Sequence, residues 1–200
     1  MGFIMSSITD TRKLIEEMNR YYEARALWHD QYMGYESIES MEQLLSPIIE
    51  TLEEIIIGKC TLEIACGTGN WTQVLAKRAS SVVAIDISYK ALEIAKKKLS
   101  GYSNVSIIQG DAYDLSNVKG SYELVFAADW WSHIPRRMIP AFLKSVYKKL
   151  RPEATFILID MSITDHFRQE VSLIDRDGNR ISLRKLPDGS EFRVVKNFPS

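Results

Sequence analysis

Two glycines in Gly67-Thr68-Gly69 follow the short apolar run Thr61-Leu62-Glu63-Ile64-Ala65 and precede a helical stretch opening near Asn70 or Trp71. Glycines so placed let the backbone turn sharply and let a ligand reach the main chain, with helix N-terminal amides aimed at it. A dinucleotide fingerprint needs a third glycine where this chain has Thr72, and a P-loop needs a Gly-Lys-Ser/Thr that the chain lacks. What fits is a nucleoside-containing ligand whose hold on the turn does not depend on phosphate. Asp86 ends a second apolar run, 17 positions past Gly69. In a parallel sheet that tip lies beside the glycine turn, where a carboxylate can accept both ribose hydroxyls. Asp111 follows a third run and can accept from an adenine amino group, while the amide of Ala112 donates to a ring nitrogen. Glu63 interrupts an otherwise apolar run, where an unpaired carboxylate is costly; a ligand ammonium or nearby backbone amides would satisfy it.

The elements that must position these residues alternate in period. Thr61 to Ala65, Val82 to Asp86, Val105 to Gln109, Glu123 to Ala127 and Thr155 to Asp160 read as buried strands, with helices between the first two, from Tyr89 to Leu99 and from Arg136 to Leu150. Strands that are nearly continuously apolar belong to an open parallel sheet covered by helices on both faces, an α/β fold. Upstream, Leu14, Ile15, Met18, Tyr21, Tyr22 and Arg25 predict a helix from about Thr9 to Ala26, capped by Thr9 or Asp10. A second helix is predicted from Glu36 to Ile56, with Pro47 kinking it or ending its first part. Downstream, Val171 to Asp175, Ile181 to Leu186 and Phe192 to Lys196 read as a β-meander turned at Asp177-Gly178 and Pro187-Asp188-Gly189. With 200 residues and no linker or repeat, one domain is expected: N-terminal helices over 1–57, a binding core over 58–160 and a meander over 161–200.

Together Leu62-Glu63-Ile64-Ala65-Cys66-Gly67-Thr68-Gly69, Val83-Ala84-Ile85-Asp86-Ile87-Ser88, Gln109-Gly110-Asp111-Ala112 and Arg151-Pro152 resemble the ordered motifs of class I S-adenosylmethionine-dependent methyltransferases, over roughly Tyr21 to Asp160. The resemblance implies a Rossmann-like doubly wound sheet in the order 3-2-1-4-5, with an N-terminal helical lid. It implies S-adenosylmethionine as cofactor and S-adenosylhomocysteine as product, with Glu63, Ala65, Gly67, Gly69, Asp86, Ile87, Asp111, Ala112 and Ala127 around them. Ile87 would pack on adenine. The aromatic segment Tyr21 to Tyr32 resembles the family's lid, which gives Tyr22, Arg25, His29 and Tyr32 contacts with the cofactor; rings attract a sulfonium by ~0.5 to 2 kcal/mol, and plain packing of the helix is the alternative. A small-molecule acceptor would approach the segment after the fourth strand. There Asp129 or His133 could take a proton, or merely cap the helix begun by Pro135, and Trp130 or Trp131 could wall the pocket or fill the core. No metal-ligating set is assigned, and Cys66 reads as a packing residue.

The family's sheet has seven strands, so a last helix and two strands are expected to be absent. The fifth-strand edge would then be covered by the meander, by a partner chain in a homodimer, or by nothing. The alternative function is a shortened, weakly active or inactive cofactor-binding module acting through partner contacts. Twenty-five Lys and Arg against 26 Asp and Glu argue against nucleic acid as partner. Cys60 and Cys66 lie beyond disulfide reach of each other across a strand, and no apolar run approaches the ~18 residues of a membrane span. A cytoplasmic setting without membrane contact is expected, in which the sequons at Asn70 and Asn104 carry no meaning.

Overall fold

The computed structural model describes residues 11–35, 37–161 and 171–198. Thr9 and Asp10, the candidate caps, lie outside them. Helix α1, Thr11–Arg25, buries Leu14, Met18 and Tyr21, which recur at helical intervals. A 3-10 turn, Ala26–Trp28, leads into α2, His29–Met33, which stops at Gly34 in the left-handed conformation. The predicted second helix is two: α3, Ile38–Leu44, opened by a Ser37–Ser40 capping box, and α4, Ser46–Ile56. Pro47 sits in the first turn of α4, where its missing N–H costs nothing.

The core then alternates through β1 Cys60–Ile64, α5 Asn70–Ala76, β2 Ser81–Asp86, α6 Tyr89–Lys98, β3 Val105–Gln109, β4 Tyr122–Ala128, α7 Ile139–Tyr147 and β5 Leu150–Ile159. The five strands are parallel in the order β3-β2-β1-β4-β5, the Rossmann-like arrangement. One face packs Ala84, Leu124 and Phe126 against Leu52 and Ile56 of α4 and Val74 and Leu75 of α5. The other packs Leu62, Ile64 and Val125 against Phe142 and Val146 of α7. Chain order reverses between β1 and β4, so a crevice opens there at the carboxyl ends of the strands.

Strands β6 Leu173–Ile174, β7 Arg180–Lys185 and β8 Glu191–Val195 form a separate antiparallel sheet. Its Ile181 and Val195 pack on Leu14 and Met18 of α1. Glu17 adds a bidentate pair with Arg193, at 2.6 Å to the backbone N–H and 2.9 Å to Nε. The meander therefore covers α1, and among the described residues no strand pairs with the outer edge of β5.

Several boundaries differ from the sequence expectation, among them the first meander strand, which spans Leu173–Ile174 instead of Val171 to Asp175. The helix expected from Arg136 to Leu150 is a 3-10 turn, Arg136–Met138, followed by α7, and Leu150 already belongs to β5. Arg151-Pro152 thus lie inside the fifth strand, not before it. Leu150 pairs with Tyr122, and the register then shifts before Thr155 pairs with Leu124; the extra residues are absorbed at Glu153, φ 62°. Proline and a left-handed residue argue locally against a strand, and only pairing with β4 overrides them.

Candidate functional site

The crevice is built on the glycine turn. Ala65 and Gly67 both take left-handed backbone conformations, φ 57° and 56°, which swing the chain away from β1 and expose main-chain atoms to the cleft. Asp86, the last residue of β2, spans from the next strand to this turn: Gly67 N–H donates to Oδ2 at 2.8 Å and Ser88 N–H to Oδ1 at 2.8 Å. Burial pushes its carboxyl up, and these amides oppose the shift. Each oxygen keeps a lone pair for a ligand. One strand further out, Asp111 is exposed and Ala112 buried, both on the cleft, with Tyr113 N–H closing a turn on Asp111 Oδ1 at 2.8 Å. Ile87 lines the same end and keeps 39% of its surface exposed, a free apolar face beside the two acids.

Glu63 lies at the cleft floor, 2% exposed, and accepts from Thr72 Oγ1 at 2.5 Å. Burial pushes its carboxyl up to about 8, further than the Thr72 bond can hold it down. The turn after β4 supplies Asp129, in the left-handed region at φ 52° and pushed up to about 6 by burial and then by Asp160. The Trp71 indole N–H favours the charged form of Asp129 without reaching hydrogen-bond geometry, so it stays a buried donor without a hydrogen-bond partner on the cleft. Trp130 Nε1 is a second such donor. His133 is buried, with Nδ1 2.9 Å from the Val195 carbonyl oxygen and the Tyr22 hydroxyl 3.0 and 3.1 Å from its two ring nitrogens. With the Nδ1 proton given to Val195, Nε2 accepts from Tyr22. Burial, and then the charge of Lys196, hold the ring neutral. From the lid, His29 closes over the turn: its Nε2 lies 3.6 Å from where a β-carbon on Gly67 would sit, and burial lowers its pKa to about 4.

Buried indole donors without partners, a buried carboxyl with one hydrogen-bond partner, and an apolar face beside two strand-end acids fit a ligand with carboxylate, ammonium, ribose and adenine parts. The methyltransferase domain family matches residues 61–153. Among curated relatives, the demethylmenaquinone methyltransferase of Staphylococcus aureus (strain MRSA252) is 25% identical over 158 residues, covering 78% of this chain and 64% of its own length. The chain thus spans less than two thirds of that relative. Among solved structures, the DhpI complex with SAH is 30% identical, with a TM-score of 0.73 over 94% of this chain and 81% of that one. The DhpI complex with SAM and HEP is also 30% identical, with a TM-score of 0.74 over 96% and 86%. The chain belongs to the class I S-adenosylmethionine-dependent methyltransferases.

In this methyltransferase chain, four of the residues expected at the cofactor do not line the cleft. Ala127 is fully buried among Leu62, Ile64 and Phe142, because alternation along β4 sends it to the opposite face; Ala128 lines the cleft instead. Gly69 backs onto α6: a β-carbon there would lie 3.1 Å from Ala95 Cβ and from Leu99 Cδ1. The turn is therefore packed closely against α6 at this glycine. Tyr32 is 53% exposed and stacks on Arg25, whose guanidinium carbon is 4.8 Å from the ring centre. Arg25 lies behind the lining, among the rings of Tyr21, Tyr22 and Tyr32, with Nη2 3.5 Å from His29 Nδ1. Neither Asp129 nor His133 caps the helical turn after Pro135. Trp130 lines the cleft while Trp131 packs on the core.

The cleft also holds residues the sequence reading did not single out. Ile15 and Asn19 line it from α1, about two turns and one turn before Tyr22 respectively. The spacing 15, 19, 22 marks one helical face and was the available signal. Met33, Tyr35 and Trp71 line the other end, and nothing local distinguished them from core residues. Among the described residues no helix is long and apolar enough to cross a membrane.

Proposed function

We propose that this protein transfers a methyl group from S-adenosylmethionine to a small-molecule acceptor in the cytoplasm. The observation that carries the reading is Asp86, held by the Gly67 and Ser88 amides across the glycine turn with both oxygens still able to accept. The cofactor supplies a sulfonium methyl group open to in-line displacement. Asp86 accepts the ribose hydroxyls, Asp111 and the Ala112 amide read adenine, and Ile87 packs on its face. Glu63 meets the ammonium, and Trp71 Nε1 offers an unused donor to the ligand carboxylate. His29 and Tyr22 close the lid side and exclude water, and alignment supplies most of the rate.

Of the two candidate bases, Asp129 suits proton removal better. A carboxyl of pKa about 6 is ionised at pH 7 yet basic enough to act, whereas His133 is neutral with both ring nitrogens engaged. His133 therefore holds Tyr22. The relatives' names are consistent with small acceptors: demethylmenaquinone for the curated relative, and HEP beside SAM in the DhpI complex. Homodimer formation belongs to the same proposal, because among the described residues the edge of β5 has no strand partner; sedimentation at micromolar concentration tests it.

The test is a calorimetric titration with S-adenosylhomocysteine. Micromolar binding is expected. In Asp86→Ala the loss of charge-assisted bonds to ribose, ~1.5 to 3 kcal/mol each before water compensates, should weaken binding at least about tenfold. Absence of binding by the folded chain, or unchanged affinity in a folded Asp86→Ala, overturns the assignment. Binding without product on a panel of hydroxyl, carboxyl and amine acceptors supports the binding-module alternative.

A further inference from the structure

A second polar cluster ties the lid to the back of the glycine turn. Asp30, in the first turn of α2, accepts at Oδ1 from Thr68 Oγ1 (2.6 Å) and Asn70 Nδ2 (2.9 Å), and at Oδ2 from Lys98 Nζ. Lys98 closes the ring by donating to Asn70 Oδ1 at 2.7 Å and to Thr68 Oγ1 at 3.2 Å. The members come from the lid, the turn itself, the start of α5 and the last residue of α6. Asp30 and Lys98 are 32% and 24% exposed, so solvent screens the pair only in part. Burial opposes the charge on Asp30, but the bonds from Lys98, Thr68 and Asn70 outweigh it and hold the carboxyl below its usual range.

This tie bears on the cleft because α2 buries no side chain fully and is otherwise held by the contacts of His29 and Tyr32 with Arg25. The preceding Leu27 is 71% exposed. The neighbour of Asp30, His29, is the lid residue that stands over Gly67. Gly69 rests against Ala95 and Leu99 of α6, so the turn is gripped between α6 on one side and α2 on the other.

We propose that Asp30 is a positioning residue: through Thr68, Asn70 and Lys98 it clamps the lid onto the glycine turn, keeping His29 over the cleft, so that release of the nucleoside ligand requires the clamp to open. The proposal rests on the reading of the cleft as a cofactor site. Opening the clamp speeds dissociation while leaving the turn amides, Asp86 and Asp111 in place for the encounter.

Two measurements on the full chain test it. By stopped flow, Asp30→Ala and Lys98→Ala are each expected to speed S-adenosylhomocysteine dissociation about tenfold, with association changed less than about threefold. The double variant should be no faster than the quicker single, since both remove one device. Asp30→Asn, which keeps an oxygen for Thr68 but loses the charge, should fall between. By hydrogen exchange on ligand-free protein, amides of residues 26–35 should exchange faster in both single variants while those of β1 are unchanged. Unchanged dissociation together with unchanged exchange over 26–35, or single effects that add in the double variant, overturns the clamp. A wild-type chain that fails to bind S-adenosylhomocysteine overturns the cofactor reading instead, and the exchange comparison alone then decides whether Asp30 holds the lid.

Discussion

Glu63 and Asp129 are two carboxyls whose burial stores free energy at the cleft, and their titration can be read out. With a carboxyl pushed up to about 8, Glu63 carries its proton at pH 7 in the free protein. A ligand ammonium placed against it would lower that pKa and release the proton. Titration with S-adenosylhomocysteine should then give a more exothermic signal in Tris, which takes up a proton with large heat, than in phosphate, and Glu63→Gln should abolish the difference. Equal heats in wild type would remove Glu63 from the ammonium. For Asp129 the folded pKa of about 6 lies above the unfolded value, so the folded state binds more protons between pH 4 and 6. Stability contributed by this residue therefore falls as pH rises through that window and stays low above it. Asp129→Asn should be more stable than wild type at pH 7.5, by at most about 3 kcal/mol, with the gap closing toward pH 4 in thermal melts. A gap that widens toward acid would reverse the assignment. His29 acts with the opposite sign: its lowered pKa costs stability as pH falls below 6.5, so only the difference between variant and wild type isolates each group.

At the scale of elements, the glycine turn works because its two glycines face opposite ways. Gly67 looks into the cleft under His29, and Gly69, at φ 83°, looks into α6. Gly69→Ala adds a left-handed penalty of about 1 to 2 kcal/mol and overpacking of about 1 to 3 kcal/mol against Ala95 and Leu99. Melting should fall by roughly 4 to 20 °C, with S-adenosylhomocysteine affinity nearly unchanged well below the transition. A large affinity loss with intact stability would restore Gly69 to the ligand. The helices around the cleft are held by polar ties from outside their own length. Glu23 of α1 accepts from the N-cap hydroxyl Ser88 Oγ at 2.6 Å and from the Lys90 N–H at 3.2 Å, the latter a free backbone donor in the first turn of α6. At its other side α1 is fixed by Glu17 and Arg193, whose bonds outweigh burial and hold Glu17 below its usual range.

For the whole molecule, α1 is the joint between the parallel sheet and the meander. Leu14 and Met18 pack on Ile181 and Val195, Tyr21 packs with Leu186 and Val194, and Tyr22 reaches His133 at the mouth of the cleft. The meander in turn fixes that mouth: Val195 holds His133, and Asn197 N–H donates to the Ser132 carbonyl at 2.7 Å. Leu14→Ala, at a site 1% exposed, should cost about 2 to 4 kcal/mol. Because this cluster is separate from the two that flank the parallel sheet, hydrogen exchange should show α1, β7 and β8 losing protection together, with β1 and β4 keeping theirs. Equal loss in all of them would mean a single cooperative core.

What the sequence by itself determined is what local physics encodes. The alternation of apolar runs and helices, the turn at Gly67 to Gly69, the acids ending β2 and following β3, and the meander with its Asp-Gly turns all rest on periods of two and 3.6 and on residue-specific backbone freedom. The motifs' resemblance to a family supplied the strand order, which periodicity alone does not carry. Only the tertiary structure decided which way side chains near the turn face: Ala128 rather than Ala127 into the cleft, Gly69 into α6, and Tyr32 onto Arg25 and outward. It also recruited Leu150 and its neighbours to β5, and engaged His133 with partners 62 and 111 positions away. Those outcomes are set by groups remote in sequence, whose hydrogen bonds and packing override the local preference, and no window along the chain contains them.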